Sequence, residues 1–97
     1  MKTIYIKQEA GIFAENKDIA SEIRETIVLP TLRGNREVAL DFEGVEGVTQ
    51  SFVHATISEA IREFGSEVLE HIIFKNCNES VRSIIEIVVD YMQASEA

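Results

Sequence analysis

Val38-Ala39-Leu40-Asp41-Phe42-Glu43-Gly44-Val45 is the stretch on which the fold turns. Its run of β-branched and apolar residues has the pattern of a buried strand, Glu37 to Phe42, and the Glu43-Gly44 pair marks where that strand stops. A loop from Glu43 to Thr49 follows. Gln50-Ser51 then opens a segment in which Val53, Ile57, Ala60, Ile61 and Phe64 recur at helical spacing. This predicts a helix from Ser51 to Glu63 with Gly65 as its C-terminal stop. A strand, a short loop and a helix start form a compact device. The first N–H groups of a helix are unpaired and carry partial positive charge, so they favour a phosphate or a carboxylate.

Reading outward toward the N-terminus, the alternation of Lys2 to Gln8 predicts a first strand. Ile12-Phe13 is either a very short edge strand, antiparallel to the first, or no strand at all. Asn16 or Asp18 supplies a cap for a helix whose buried face is Ile19, Ala20, Ile23, Ile27 and Val28. Pro30 disfavours helix at Leu29 and predicts a kink or an end there, with Thr31-Leu32-Arg33 as a further turn. Gly34-Asn35 is a turn signal.

Toward the C-terminus, Val68 to Phe74 reads as the third main strand. Asn76-Cys77-Asn78 is a loop, and Asn78 caps a last helix from Glu79 to Gln93. The tail Ala94-Ser95-Glu96-Ala97 is expected to fray. Strands alternating with helices predict parallel neighbours. The expected architecture is one α/β domain spanning residues 1–97. It is a small sandwich with a mostly parallel sheet of three or four strands and three helices mainly on one face.

The formal net charge of −8 argues against nucleic-acid binding, which rests on neutralising phosphates, and equally against anionic membrane surfaces. No apolar run is long enough to span a bilayer, and the alternating N-terminus does not read as a signal peptide, so the expected location is the cytoplasm. The single cysteine, Cys77, has no disulfide partner within the chain. His71 and Cys77 lack the spacing of a metal site, and no cofactor is expected.

The order Val38-x-Leu40-Asp41-Phe42-x-Gly44-Val45, then Gln50-Ser51-Phe52 at a helix start, then Phe64-Gly65, then Phe74-Lys75-Asn76 resembles the STAS-like family of unknown function. That family takes its name from STAS domains such as bacterial anti-sigma factor antagonists. The resemblance implies a STAS-like α/β fold and a non-enzymatic regulatory role. The implied partner is a protein, either a histidine-kinase-type ATPase or a sigma-control protein. In the antagonists a kinase phosphorylates a serine at the corresponding helix start, and Ser51 falls on that position. Thr49, Gln50 and Phe52 stand where the antagonists carry Asp, Ser and Gly. The implied contact surface is Gly44, Glu46, Gly47, Thr49, Gln50, Phe52 and His54, with Ser51 as the switch.

Read from the residues alone, Ser51 has three roles open to it: a helix cap (Thr49 being the other candidate), a phosphorylated switch, or an anchor for a small molecule or nucleotide. Asp41 either holds the Gly44 to Gly47 loop through backbone N–H groups or joins Ser51 at a ligand. His54 and Ser58 share a helix face and read as its polar edge, because no orienting group or oxyanion hole accompanies them. In the last helix, Val81, Ile84, Ile85, Val88 and Met92 form a core stripe, while Ile87, Val89 and Tyr91 widen it. A helix apolar over so much of its circumference is either broadly buried or covered by a partner. Ile87 and Tyr91 are therefore candidates for an interface, including a homodimer or a self-assembling structural domain.

Overall fold

The computed structural model describes residues 1–96, with Ala97 outside the described residues. β1 (Lys2–Tyr5) runs directly into a short helix, α1 (Ile6–Ala10), so the expected strand through Gln8 is cut at Ile6. Ile4 and Ile6 are both buried. Entering a helix at Ile6 keeps that side chain inside, and the alternation alone could not separate the two paths. Gly11, at φ +84, closes α1 by donating its N–H to the Lys7 carbonyl at 2.8 Å.

β2 (Phe13–Ala14) pairs parallel with β4 (Gly47–Val48). The expected antiparallel pairing of this segment with β1 is not what forms. Backbone N–H groups of Glu46 and Gly47 donate to the Ile12 carbonyl, and that of Thr49 donates to the Ala14 carbonyl, so the stretch from Glu46 to Thr49 binds this segment instead.

Asn16, not Asp18, caps α2 (Lys17–Ile23): its Oδ1 accepts from the N–H of Asp18 at 2.9 Å and of Ile19 at 3.1 Å. The helix continues through a π-helical segment, Arg24–Val28, into α3 (Leu29–Arg33). Pro30 has no N–H, and its ring crowds the carbonyl of the preceding turn. The wide turn absorbs this: Leu29 donates five residues back, to the Arg24 carbonyl. Pro30 thus deforms the helix without ending it. Arg33 closes the run with a bidentate ion pair to Glu63, Nε to Oε2 at 2.8 Å and Nη2 to Oε1 at 2.7 Å.

β3 (Val38–Asp41) is the central strand of a three-stranded parallel sheet in the order β1-β3-β5, where β5 is Ile72–Lys75. All four of its residues are buried. Val38 and Leu40 join Ile4 and Ile72 in the main core, whereas Ala39 and Asp41 face the opposite side between β1 and β5. Burial on both faces is why this strand reads as a nearly unbroken apolar run.

α4 (Gln50–Phe64) buries Phe52, Val53, Ile57, Ala60 and Ile61 and ends at Gly65, φ +85. The next segment corrects the sequence reading. Ser66–His71 is a 3-10 helix, so β5 begins only at Ile72. Val68 donates to the Gly65 carbonyl at 3.1 Å, and this tight turn takes the apolar Val68-Leu69 pair out of the strand. α5 (Glu79–Glu96) is capped by Asn78, whose Oδ1 accepts from the Val81 N–H at 2.8 Å. A cap of this kind contributes about 0.5–2 kcal/mol. The helix is assigned through Glu96, and the tail expected to fray, Ala94 to Ala97, ends outside the described residues. No helix among the described residues is long and apolar enough to cross a membrane.

Candidate functional site

The parallel pairing of β2 with β4 decides where the site lies. Each of these two-residue strands runs into a helix, α2 through the Asn16 cap and α4 through the Thr49 cap, so two helix starts lie side by side. Thr49 Oγ1 accepts from the Phe52 N–H at 3.1 Å. This settles which residue caps α4. The Ser51 hydroxyl is exposed and makes no hydrogen bond among the described residues. Arg24 Nη1 reaches the Ala55 carbonyl at 3.2 Å and fastens the π-helical segment to α4.

α5 packs along α4, and a groove of about 400 Å³ opens between α5 and the two helix starts. Lys17, Gln50, Ser51 and His54 line its polar part. Ala55, Ile87, Val88 and Tyr91 line its apolar part. Ile87 remains 48% exposed and Tyr91 64%. The volume falls within the range of binding pockets, as does the combination of an apolar wall with a few polar groups.

Two sets of residues that the sequence presents separately therefore meet: Gln50, Ser51 and His54 from the helix start, and Ile87 and Tyr91 from the last helix. Others do not join them. Gly44 borders a separate open depression beside Tyr5, Lys7 and Glu43. Glu46 is exposed, with its carbonyl held by Asn78 Nδ2 at 3.1 Å. Thr49 is occupied as the cap.

Gly47 and Phe52 lie inside the fold. Gly47 is buried in β4 under the Phe13 ring, where a Cβ would lie 3.0 Å from a ring carbon. Phe52 is 1% exposed, inside the core. It sits one residue, about 100° of helical turn, from the exposed Ser51. Ser58 is buried too, so His54 and Ser58 are not an exposed polar edge. Val89 is partly buried against the core, which narrows the exposed flank of α5 to Ile87 and Tyr91.

Lys17, Ala55 and Val88 complete the groove; the sequence reading passes over the first two and places Val88 in the core stripe of the last helix. Lys17 follows a legible cap, but its meeting with α4 depends on pairing between strands too short to leave a pattern.

Asp41 serves the loop. Its Oδ1 accepts from the Glu43 N–H at 2.9 Å and from Asn76 Nδ2 at 3.0 Å, joining the ends of β3 and β5. It does not line the groove. The Asn76 amide, the Glu43 N–H and the Lys75 charge together hold its carboxyl below the usual aspartate range. A folded pKa below the unfolded one gives stability that is complete above about pH 4 and drains away as pH falls through the folded value. Asp41→Asn is expected to cost about 1–3 kcal/mol at neutral pH. It should also flatten the acid-side loss of stability, read by urea unfolding from neutral pH down to about pH 3. An unchanged acid limb would show that another carboxylate sets it.

Burial pushes the half-buried Cys77 thiol up, away from the range of reactive thiolates. No group of three or more His, Cys, Asp or Glu placed to hold a metal occurs among the described residues.

Comparison with known proteins adds one finding. The family model for the STAS-like domain of unknown function matches residues 20–82, well over half of the chain. Gln50, Ser51 and His54 lie inside that range, and Lys17, Ile87 and Tyr91 lie outside it. No curated protein and no solved structure matches. The chain belongs to the family of STAS-like domains of unknown function.

Proposed function

We propose that this chain is a non-enzymatic, cytoplasmic regulatory domain that binds a partner protein through the groove between the start of α4 and α5. The partner is a histidine-kinase-type ATPase or a sigma-control protein, and phosphorylation of Ser51 switches the contact. The observation that carries the reading is the position of Ser51. Its hydroxyl is released from capping by Thr49 and stands at the groove beside exposed Ile87 and Tyr91. A phosphate there gains from the helix dipole and from the free first-turn N–H groups, so the fold accepts it. The same charge falls where a docking partner must shed water, so binding does not.

A photo-cross-linking side chain at position 91, introduced in host cells, is expected to trap an ATPase or sigma-control protein. Ser51→Asp should reduce the adduct at least about ten-fold, on the scale of a charge placed against an interface. Equal adducts from both forms would remove the switch and keep the docking surface. The exposed Ile87 and Tyr91 also favour a second reading, self-association through α5.

A further inference from the structure

The groove differs from the rest of the molecule in its charge. The chain carries 17 acidic residues against nine basic ones. The cavity by Arg33 and Arg36 includes Glu67 and Glu70, and the depression at Gly44 includes Glu43. The groove, among the described residues, has no carboxylate in its lining. Its one formal charge is Lys17, and it also holds the His54 ring, the Ser51 hydroxyl and the open first turn of a fifteen-residue helix. An anionic group is favoured at this corner by the ammonium, by hydrogen-bond donors and by the helix dipole together. Immediately beside it is an apolar wall. An uncharged flank of α5, the exposed row Ser80, Ser83, Ile87 and Tyr91 at three- and four-residue spacing, then continues past the cavity, edged on one side by exposed Glu79, Glu86 and Asp90.

We infer that the groove receives an amphipathic segment of a partner protein in which an aspartate or glutamate lies within one helical turn of a large apolar side chain. The carboxylate goes to Lys17, Ser51 and His54. The apolar side chain lies on Ala55 and between Ile87 and Tyr91, and the rest of the segment follows the uncharged flank of α5. A linear segment covers both cavity and flank, whereas a free small molecule of the same chemistry fills the cavity alone. Charge sets the register. Elsewhere this acidic surface repels carboxylates, so one acid is drawn to one corner and its neighbours along the segment are neutral or basic.

This inference rests on the groove being a protein-docking surface, and its test separates the two ideas. A random peptide display library is selected against the intact chain, and binders are measured by fluorescence anisotropy and by amide chemical shifts. Selected peptides are expected to pair an acid with an aromatic or large aliphatic residue and to shift the amides of Ser51, Ala55 and Ile87. Lys17→Glu should weaken them about ten-fold or more, and their affinity should fall with added salt. Lys17→Glu places an acid in the first turn of α2, which the helix dipole favours, so the variant keeps its fold.

Peptides that shift the groove amides without an acid, or that bind Lys17→Glu equally well, would overturn the inference and leave the docking surface standing. Failure of every peptide to reach the groove amides would overturn both. Binding of 4-phenylbutyrate as tight as that of the selected peptides would assign the groove to a free carboxylate and overturn the protein segment.

Discussion

Phe52→Ala is expected to lower the unfolding free energy by about 3–5 kcal/mol, the cost of removing a large aromatic ring from a packed core. The ring is 1% exposed and belongs to the same buried cluster as Val48, Val53 and Ile57. A domain of this size holds about 5–15 kcal/mol in all, so the loss is a large share of it. At about 4–8 °C per kcal/mol, the melting temperature should fall by more than about 12 °C. Phe52→Leu keeps most of the volume and should cost less than half as much, about 1–1.5 kcal/mol. The pair of variants tests where the ring points. A loss under about 0.5 kcal/mol for Phe52→Ala would place it at the surface, where it could anchor a partner; the sequence pattern fits either placement. Thermal unfolding followed by circular dichroism gives the answer.

Phe52 also shows how far the sequence carries. Its neighbours Val53, Ile57, Ala60 and Ile61 mark α4 as a helix, and Gly65 marks its end, because helical period and left-handed glycine are local signals. Local chemistry likewise reveals the Asn78 cap and the turn at Gly44, and narrows the first cap to Asn16 or Asp18. Which way Phe52 faces depends on what packs over the first turn of α4, and that is tertiary. The same limit explains the miss at Val68. An apolar pair after a glycine fits a strand or a 3-10 turn equally, and the Gly65 to Val68 hydrogen bond that decides between them has no sequence mark.

β2 and β4 are two residues each, too short for a period to register. Yet their parallel pairing brings Lys17 to Ser51 and so creates the groove. The polar half of the site was legible as a helix start and the apolar half as surplus hydrophobicity on the last helix. Their juxtaposition was not, since it is set by a strand pair and by the packing of α5 along α4.

That juxtaposition makes the last helix the place where fold and binding come apart. Ile87→Glu is expected to leave the fold intact and remove binding at the groove. Ile87 is 48% exposed, and Glu is at least as good a helix former as Ile, so the change in stability should stay under about 1 kcal/mol. Asp90 lies one turn on and adds a like-charge pair costing only a few tenths of a kcal/mol, about 0.2–0.5. On binding, the balance reverses. A covered Ile87 loses its apolar contact and is replaced by a carboxylate that must be desolvated without a partner. Together these reach the scale of an interface hot spot, about 2 kcal/mol or more, or roughly 30-fold in affinity. Lys17 is too exposed, and too close to the proposed acid, to neutralise the new charge without giving up its own ligand.

Cross-linking from position 91 reads the loss of the partner, and analytical ultracentrifugation of the same variant reads self-association. A wild-type dimer that Ile87→Glu dissociates would assign the flank to a second copy of the chain. A monomer in both forms, with the cross-link lost only in the variant, would assign it to the partner. Retention of the cross-link in a folded Ile87→Glu would show that α5 is not part of the contact, and the groove would then have to act through its polar corner alone.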